Sequence, residues 1–157
     1  GAVYISGEEA VDQVRLRAYD GSERRIPFRE ASYTVGLGAN PEYAPAAYRL
    51  SYQSMVTPAT TYDYHPAQDR LEVRKVQQIP SGYDPALYAS ERLMIPARDG
   101  KQIPVSIVYR RDRFRKDGQG RLFLYAYGAY GIATAPGFNT NRLSLLDRGY
   151  AFAIAHI

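Results

Sequence analysis

The stretch "RLFLYAYGAYGIATAPGFNTNRLSLLDRGYAFAIAHI", residues 121–157, decides the fold of this chain. It opens with an apolar run that leads into a glycine-rich loop containing several tyrosines. "NTNRLSLLDRG" then spaces its leucines as a helix does, with Asn139 or Thr140 as N-cap and Gly149 just past the end. "YAFAIAHI" is a second unbroken apolar run. Strand, loop, helix and strand in this order predict the beginning of an α/β sheet whose strands are buried on both faces.

The residues just before this stretch predict a hairpin. "ERLMIPARDGKQIPVSIVYR", residues 91–110, holds two alternating runs about the turn Asp99-Gly100, and Asp-Gly between such runs is a strong hairpin signal. Upstream, "IPSGYDPALYAS", residues 79–90, is rich in proline and glycine, which interrupt strand pairing. We interpret residues 79–90 as a linker between two domains.

The first half of the chain predicts antiparallel β-structure. Residues 2–77 hold seven short runs rich in β-branched and aromatic residues, separated by segments of turn residues. The pair Tyr19-Asp20 recurs as Tyr62-Asp63, 43 residues later, which is a weak signal of an internal repeat. Repeats of about 40 to 50 residues with four strands each are typical of propeller blades.

Composition excludes several functional classes. The charge of +4 comes from basic residues scattered among acidic ones, which indicates a solvated surface and no nucleic-acid partner. No apolar window is long enough for a membrane span and no signal peptide is evident, so we expect no membrane association. The absence of cysteine favours a cytoplasmic location and excludes thiolate chemistry. Metal-ligand spacing is also missing, so we predict no metal and no cofactor.

No catalytic nucleophile is identifiable from the residues themselves. None of the nine serines lies in a Gly-x-Ser-x-Gly elbow. His65 is interpreted as an exposed turn residue, and His156 as a hydrogen-bonded core histidine in preference to a site residue. Two classes therefore stay open: a portion of an enzyme, or a non-catalytic, tyrosine-rich β-module that binds a peptide or glycan.

Four segments together resemble the prolyl oligopeptidase family of serine peptidases, and look closest to its oligopeptidase B branch. They are "GYDPALYASERL", "PARDGKQIPVSIVYRRDRF", "LFLYAYGAYGI" and "SLLDRGYAFAIAHI". In that family a seven-bladed β-propeller caps an α/β-hydrolase domain. The resemblance implies that residues 1–78 are the end of the propeller, part of the penultimate blade plus the last blade. Residues 91–157 would then begin the hydrolase domain.

The resemblance also implies roles for the loop tyrosines. Family members carry a Tyr-Gly-Tyr-Gly loop here, whose second tyrosine donates its hydroxyl to the oxyanion of the tetrahedral intermediate. Tyr127 matches that donor, and Tyr130 matches an aromatic residue of the substrate pocket. Ala126 departs from the family's usual glycine. The alternative for both tyrosines is packing between the two domains.

The same resemblance implies cleavage of short peptides, after Lys or Arg, by Ser-His-Asp acyl transfer. The family's triad lies beyond the position that matches Ile157, and His156 does not match the catalytic histidine. We therefore expect this chain to be inactive alone and to need the remainder of the same polypeptide to complete its fold.

Overall fold

The computed structural model describes residues 1–8 and 11–157. The chain is mainly β with few helices. Its strands are β1 (Ala2–Glu8), β2 (Val11–Arg17), β3 (Glu23–Ile26), β4 (Thr34–Leu37), β5 (Tyr48–Gln53), β6 (Thr60–His65), β7 (Arg70–Val76), β8 (Tyr88–Pro96), β9 (Gln102–Arg110), β10 (Arg121–Ala126) and β11 (Tyr150–Ala155). The helix α1 spans Thr140–Asp147, and two 3-10 turns span Pro85–Leu87 and Ala129–Gly131. None of the helices in these described ranges is long and apolar enough to cross a membrane.

The first half forms two antiparallel sheets, as its seven runs predict. One sheet has the order β1-β2-β3 and the other the order β4-β5-β6-β7. The core of this half includes Val14, Ile26 and Leu50, each at most 1% exposed. The rings of Tyr33 and Phe28 pack on Tyr52 with centroids 5.4 and 4.8 Å away, which explains part of the high tyrosine content.

Two details of the sequence interpretation are wrong in this half. Tyr19-Asp20 lies in the turn after β2, whereas Tyr62-Asp63 lies in the middle of β6. The two Tyr-Asp pairs therefore do not occupy equivalent positions in their sheets. His65 is the last residue of β6, and its Nε2 lies 2.8 Å from Glu72 Oε2 on the neighbouring strand. It is half-buried because cross-strand pairing holds its ring against the sheet.

The hairpin predicted about Asp99-Gly100 is confirmed. β8 and β9 pair antiparallel in a register that ends with Pro96 opposite Gln102. Gly100 has φ +83°, a left-handed conformation that glycine adopts without a steric cost. The last three residues of the predicted linker, at positions 88–90, lie in β8 and pair with β9.

The segment that decides the fold forms the predicted strand, loop, helix and strand. β10 and β11 pair in parallel through the crossover helix α1, and the sheet order is β10-β11-β9-β8. The Asn139 side chain accepts a hydrogen bond from Asn141 N at 2.9 Å, and Gly149 has φ +88° just past the helix, so both predicted caps are confirmed. Ala151 and Ile154 in β11 are buried, as expected of a central strand.

β10 does not show the burial that its apolar run predicts. All six of its residues are exposed, with Leu122 at 54% and Leu124 at 59%. β10 is an edge strand that pairs only with β11 among the described strands, and the helix α1 packs on β11 and β9, so both faces of β10 are left largely uncovered by the described residues. An apolar run indicates side chains that favour burial, but it does not identify the element that would cover them.

The two halves pack through the segment that follows β5. Met55 enters the second core with Tyr88, Val108 and Ile154, which belong to the last sheet. The Tyr83 hydroxyl donates to the carbonyl oxygen of Val56. These contacts join the first-half sheets to the sheet that carries the tyrosine loop.

Candidate functional site

The tyrosine loop begins where β10 ends. Tyr127 directly follows Ala126, the last residue of β10, and Ala126 pairs with Ala155 near the end of β11. Because the two strands are parallel, their carboxyl ends meet at one edge of the sheet. In open α/β sheets this edge is where ligands usually bind. Tyr127 is 41% exposed there, so the residue is accessible from solvent.

Tyr130 has an unusual backbone conformation. It lies in the 3-10 turn Ala129–Gly131 with φ +58° and ψ +24°, in the left-handed region, and it is 92% exposed. A non-glycine residue in this region costs about 1 kcal/mol or more, so it persists only where its surroundings enforce it. Ile132 N donates to Ala129 O at 3.1 Å and closes the turn. The turn thus directs a tyrosine ring away from the protein surface.

The far end of the loop is tied to the first half of the chain. Phe138 N donates to Gln53 Oε1 at 3.0 Å, and Gln53 is the last residue of β5.

Arg142 Nη1 donates to Gly137 O at 2.9 Å, and its guanidinium lies 4.2 Å from the centre of the Phe152 ring. Burial lowers the pKa of Arg142. A cavity of about 320 Å³ lies beside these residues, and Tyr125 and Ile154 contribute to its lining.

The start of the loop rests on the last residue of the chain. Gly128 has φ −139°, which any residue can adopt. However, a Cβ at this position would lie 2.7 Å from Ile157 O and 3.0 Å from the Ile157 carbonyl carbon. A side chain here would force the loop or the Ile157 backbone to shift, because the two backbones approach so closely.

His156 lies beneath the loop in a buried hydrogen-bonded row. Its Nδ1 lies 2.8 Å from Thr134 O and its Nε2 lies 2.7 Å from Ser106 Oγ. Ser106 Oγ also shares a hydrogen bond with Ser32 Oγ. The interpretation of His156 as a hydrogen-bonded core histidine is confirmed, since it is 8% exposed. Burial is the main cause that lowers its pKa, so the ring is neutral at neutral pH.

Ser106 and His156 have the spacing of a nucleophile and its general base, but not the access. Ser106 is 0% exposed, so no substrate carbonyl can reach its Oγ. The pair is separated by 50 residues in sequence, and neither residue lies in a motif that indicates the contact. Sequence reasoning missed this pair for that reason.

The described residues offer no metal centre. No group of three or more His, Asp or Glu side chains in residues 1–8 and 11–157 is placed to hold an ion.

Comparison with known proteins identifies the family. Residues 2–77 match the model of the prolyl oligopeptidase N-terminal beta-propeller domain. Dipeptidyl aminopeptidase BI of Pseudoxanthomonas mexicana is 45% identical over 99% of this chain, which covers 21% of that protein. Protease 2 of Moraxella lacunata is 30% identical over 88% of this chain, covering 20% of that protein.

The solved structures agree with the sequence relatives. The structure of oligopeptidase B from Leishmania major covers 99% of this chain with a TM-score of 0.84 and 30% identity, and the chain covers 23% of it. The chain therefore spans about a fifth of the length of the relatives it matches. The solved structure therefore has the same fold as this chain over almost all of its residues. The chain belongs to the prolyl oligopeptidase family, and its residues 2–77 match that family's N-terminal β-propeller domain.

Proposed function

We propose that this chain is part of a serine peptidase that hydrolyses peptide bonds in short peptides, with Tyr127 as an oxyanion donor. The observation that carries the proposal is the loop at the carboxyl edge of β10 and β11. It presents an exposed Tyr127, and it is fixed at Gly128, at Thr134 and at Phe138. A tyrosine next to a backbone held in this way suits oxyanion stabilisation, because a donor that is already aimed needs no reorganisation when charge develops.

The proposal assigns the rest of the chain accordingly. Residues 1–78 would be the end of a seven-bladed propeller, residues 79–90 a linker, and residues 91–157 the start of an α/β-hydrolase domain. The exposed ring of Tyr130 would line the substrate pocket. A Ser-His-Asp triad outside these residues would perform acyl transfer, so the 157-residue chain alone would be inactive.

The substrate side chain is proposed from the oligopeptidase B resemblance. Cleavage after Lys or Arg is the first candidate. Dipeptidyl aminopeptidase activity is the second, and it is favoured by the 45% identity to the Pseudoxanthomonas protein of that name. The two candidates differ in one requirement, because a dipeptidyl aminopeptidase needs a free amino terminus two residues before the cleaved bond.

The test uses the protein encoded by the complete open reading frame that contains these residues, called here the full-length protein. We expect a serine-directed fluorophosphonate to label it at a Gly-x-Ser-x-Gly serine and at none of the nine serines described here. Its hydrolysis of an N-blocked arginyl amide would be compared with that of an unblocked dipeptidyl amide. Preference for the unblocked substrate would favour the second candidate.

A folded full-length protein that is neither labelled nor active on either substrate would overturn the proposal. It would favour the tyrosine-rich binding module instead. We also propose a cytoplasmic location, since the chain has no cysteine. Recovery of the full-length protein from the medium or periplasm in cell fractionation would contradict that location.

A further inference from the structure

A buried row of side chains connects the first half of the chain to the tyrosine loop. Ser32 lies between β3 and β4, Ser106 lies in β9, and His156 directly follows β11. The three residues are 1%, 0% and 8% exposed, so water does not compete for their hydrogen bonds. The row ends at the carbonyl oxygen of Thr134 in the loop.

The hydrogen bonds in this row have only one consistent direction. A carbonyl oxygen accepts and cannot donate, so His156 Nδ1 carries the proton that Thr134 O receives at 2.8 Å. In a neutral imidazole the other nitrogen is then an acceptor, and Ser106 donates to Nε2 at 2.7 Å. Ser106 Oγ in turn accepts from the Ser32 hydroxyl. Each buried donor in the row therefore has an acceptor.

Two consecutive residues, His156 and Ile157, hold the two ends of the loop segment 128–134. Thr134 is bonded to His156, while Gly128 packs against the backbone of Ile157. The main chain at this point is itself fixed, because His156 N donates to Pro104 O at 2.9 Å. Movement of the His156 ring would therefore release the Thr134 end of this segment and leave its Gly128 end in place.

We infer that His156 is a positioning residue for residues 129–134, which include Tyr130, acting through its Nδ1–H bond to Thr134. The part of this inference that concerns substrate rests on the proposed function, since it assumes that Tyr130 lines the substrate pocket. The structural part does not, because it states which hydrogen bond holds the segment between Gly128 and Thr134. Ser106 fixes the tautomer, and Ser32 supports Ser106.

Two substitutions of His156 distinguish the roles of its two ring nitrogens. In His156→Asn the side-chain amide reaches the position of Nδ1 and can still donate to Thr134 O. In His156→Gln the amide extends to the position of Nε2 and can still accept from Ser106, but it no longer donates to the loop. Both variants keep a polar group in the cavity, so the comparison does not depend on either one matching the stability of the original protein.

The first measurement is amide hydrogen exchange of peptides covering residues 127–134 in the full-length protein. We expect exchange to be about 3- to 10-fold faster in His156→Gln than in His156→Asn, as for the loss of one hydrogen bond. Exchange in β9 should change equally in both variants. Equal exchange of the loop in Asn and Gln variants would overturn the inference, whether or not the protein is a peptidase.

The second measurement is the hydrolysis of a peptidyl amide. We expect His156→Gln to raise KM by about 3- to 10-fold with a smaller change in kcat, and His156→Asn to keep KM near that of the original protein. In the Tyr130→Ala background the His156→Gln effect should largely disappear, because the two residues act through one ring. Ser32→Ala should have a smaller effect than Ser106→Ala. Equal changes of KM for Asn and Gln, additive with Tyr130→Ala, would contradict the positioning role.

Discussion

The close contact between Gly128 and Ile157 gives the sharpest prediction about the loop. A methyl group at Gly128 would lie 2.7 Å from Ile157 O, whereas ordinary contact begins at 3.4 Å. The Ile157 backbone cannot retreat easily, because the preceding residue is fixed by its bonds to Pro104 and Thr134. Gly128→Ala should therefore displace the loop itself by about 0.7 Å, the difference between these two contact distances.

A displacement of this size should reduce catalysis more than binding. Misplacement of a catalytic group by about 1 Å can lower the rate by about 100-fold, so we expect kcat of the full-length Gly128→Ala variant to fall by about 30-fold. KM should change less than kcat, since Tyr130 is the one proposed substrate contact that lies in the displaced loop. The assay is steady-state hydrolysis of a fluorogenic peptide amide, with the melting temperature measured on the same preparation.

Gly131→Ala is the matched control in the same loop. Gly131 has φ +69°, but a Cβ there would meet no atom within 4 Å. This substitution should cost about 1 kcal/mol of unfolding free energy through backbone strain, without pushing the loop. We therefore expect a smaller loss of kcat than for Gly128→Ala. Unchanged kcat in a stably folded Gly128→Ala variant would refute the reasoning that links loop position to catalysis.

Two further predictions concern stability and accessibility. Burial, with the hydrogen bond to Asp147, raises the pKa of Tyr88 from 10.0 to about 12. The contribution of Tyr88 to the free energy of unfolding should therefore be complete below about pH 10 and should decrease as the pH rises toward 12. Tyr88→Phe should make this decrease smaller in denaturant titrations at a series of pH values. An unchanged decrease would exclude Tyr88 as its cause. Limited digestion with proteinase K, which has no strict side-chain requirement, should cut first near the exposed Arg115 or Lys116. The proline- and glycine-containing residues 81–88 should be cut later because the Tyr83 hydroxyl bonds to Val56 O, and a first cut inside β9 would contradict this order.

Much of the fold could be predicted from local signals. The hairpin follows from Asp99-Gly100, and the helix α1 follows from the leucine spacing between Asn139 and Gly149. Each of these signals lies within a few residues of the structure it specifies. The short first-half strands were predictable for the same reason.

The candidate site was predictable only in part. Tyr127 was identified through the family resemblance, and its loop position follows from the strand before it. The support beneath the loop was not predictable, because Ser32 and Ser106 are 74 residues apart and Thr134 and His156 are 22 apart. The exposure of β10 was missed for a similar reason, since the element that covers each face of a strand is set by long-range packing.

The most direct test of the central claim is a pair of phenylalanine variants in the full-length protein. Tyr127→Phe removes only the hydroxyl, and the loss of an oxyanion donor costs about 100-fold or more in kcat, so we expect that loss with KM within a few fold. Tyr125→Phe, in β10 and 42% exposed, is the matched control and should change kcat little. Ala126→Gly should leave activity intact or raise it. Equal small losses for the two phenylalanine variants, with unchanged melting temperatures, would contradict the assignment of Tyr127 as the oxyanion donor.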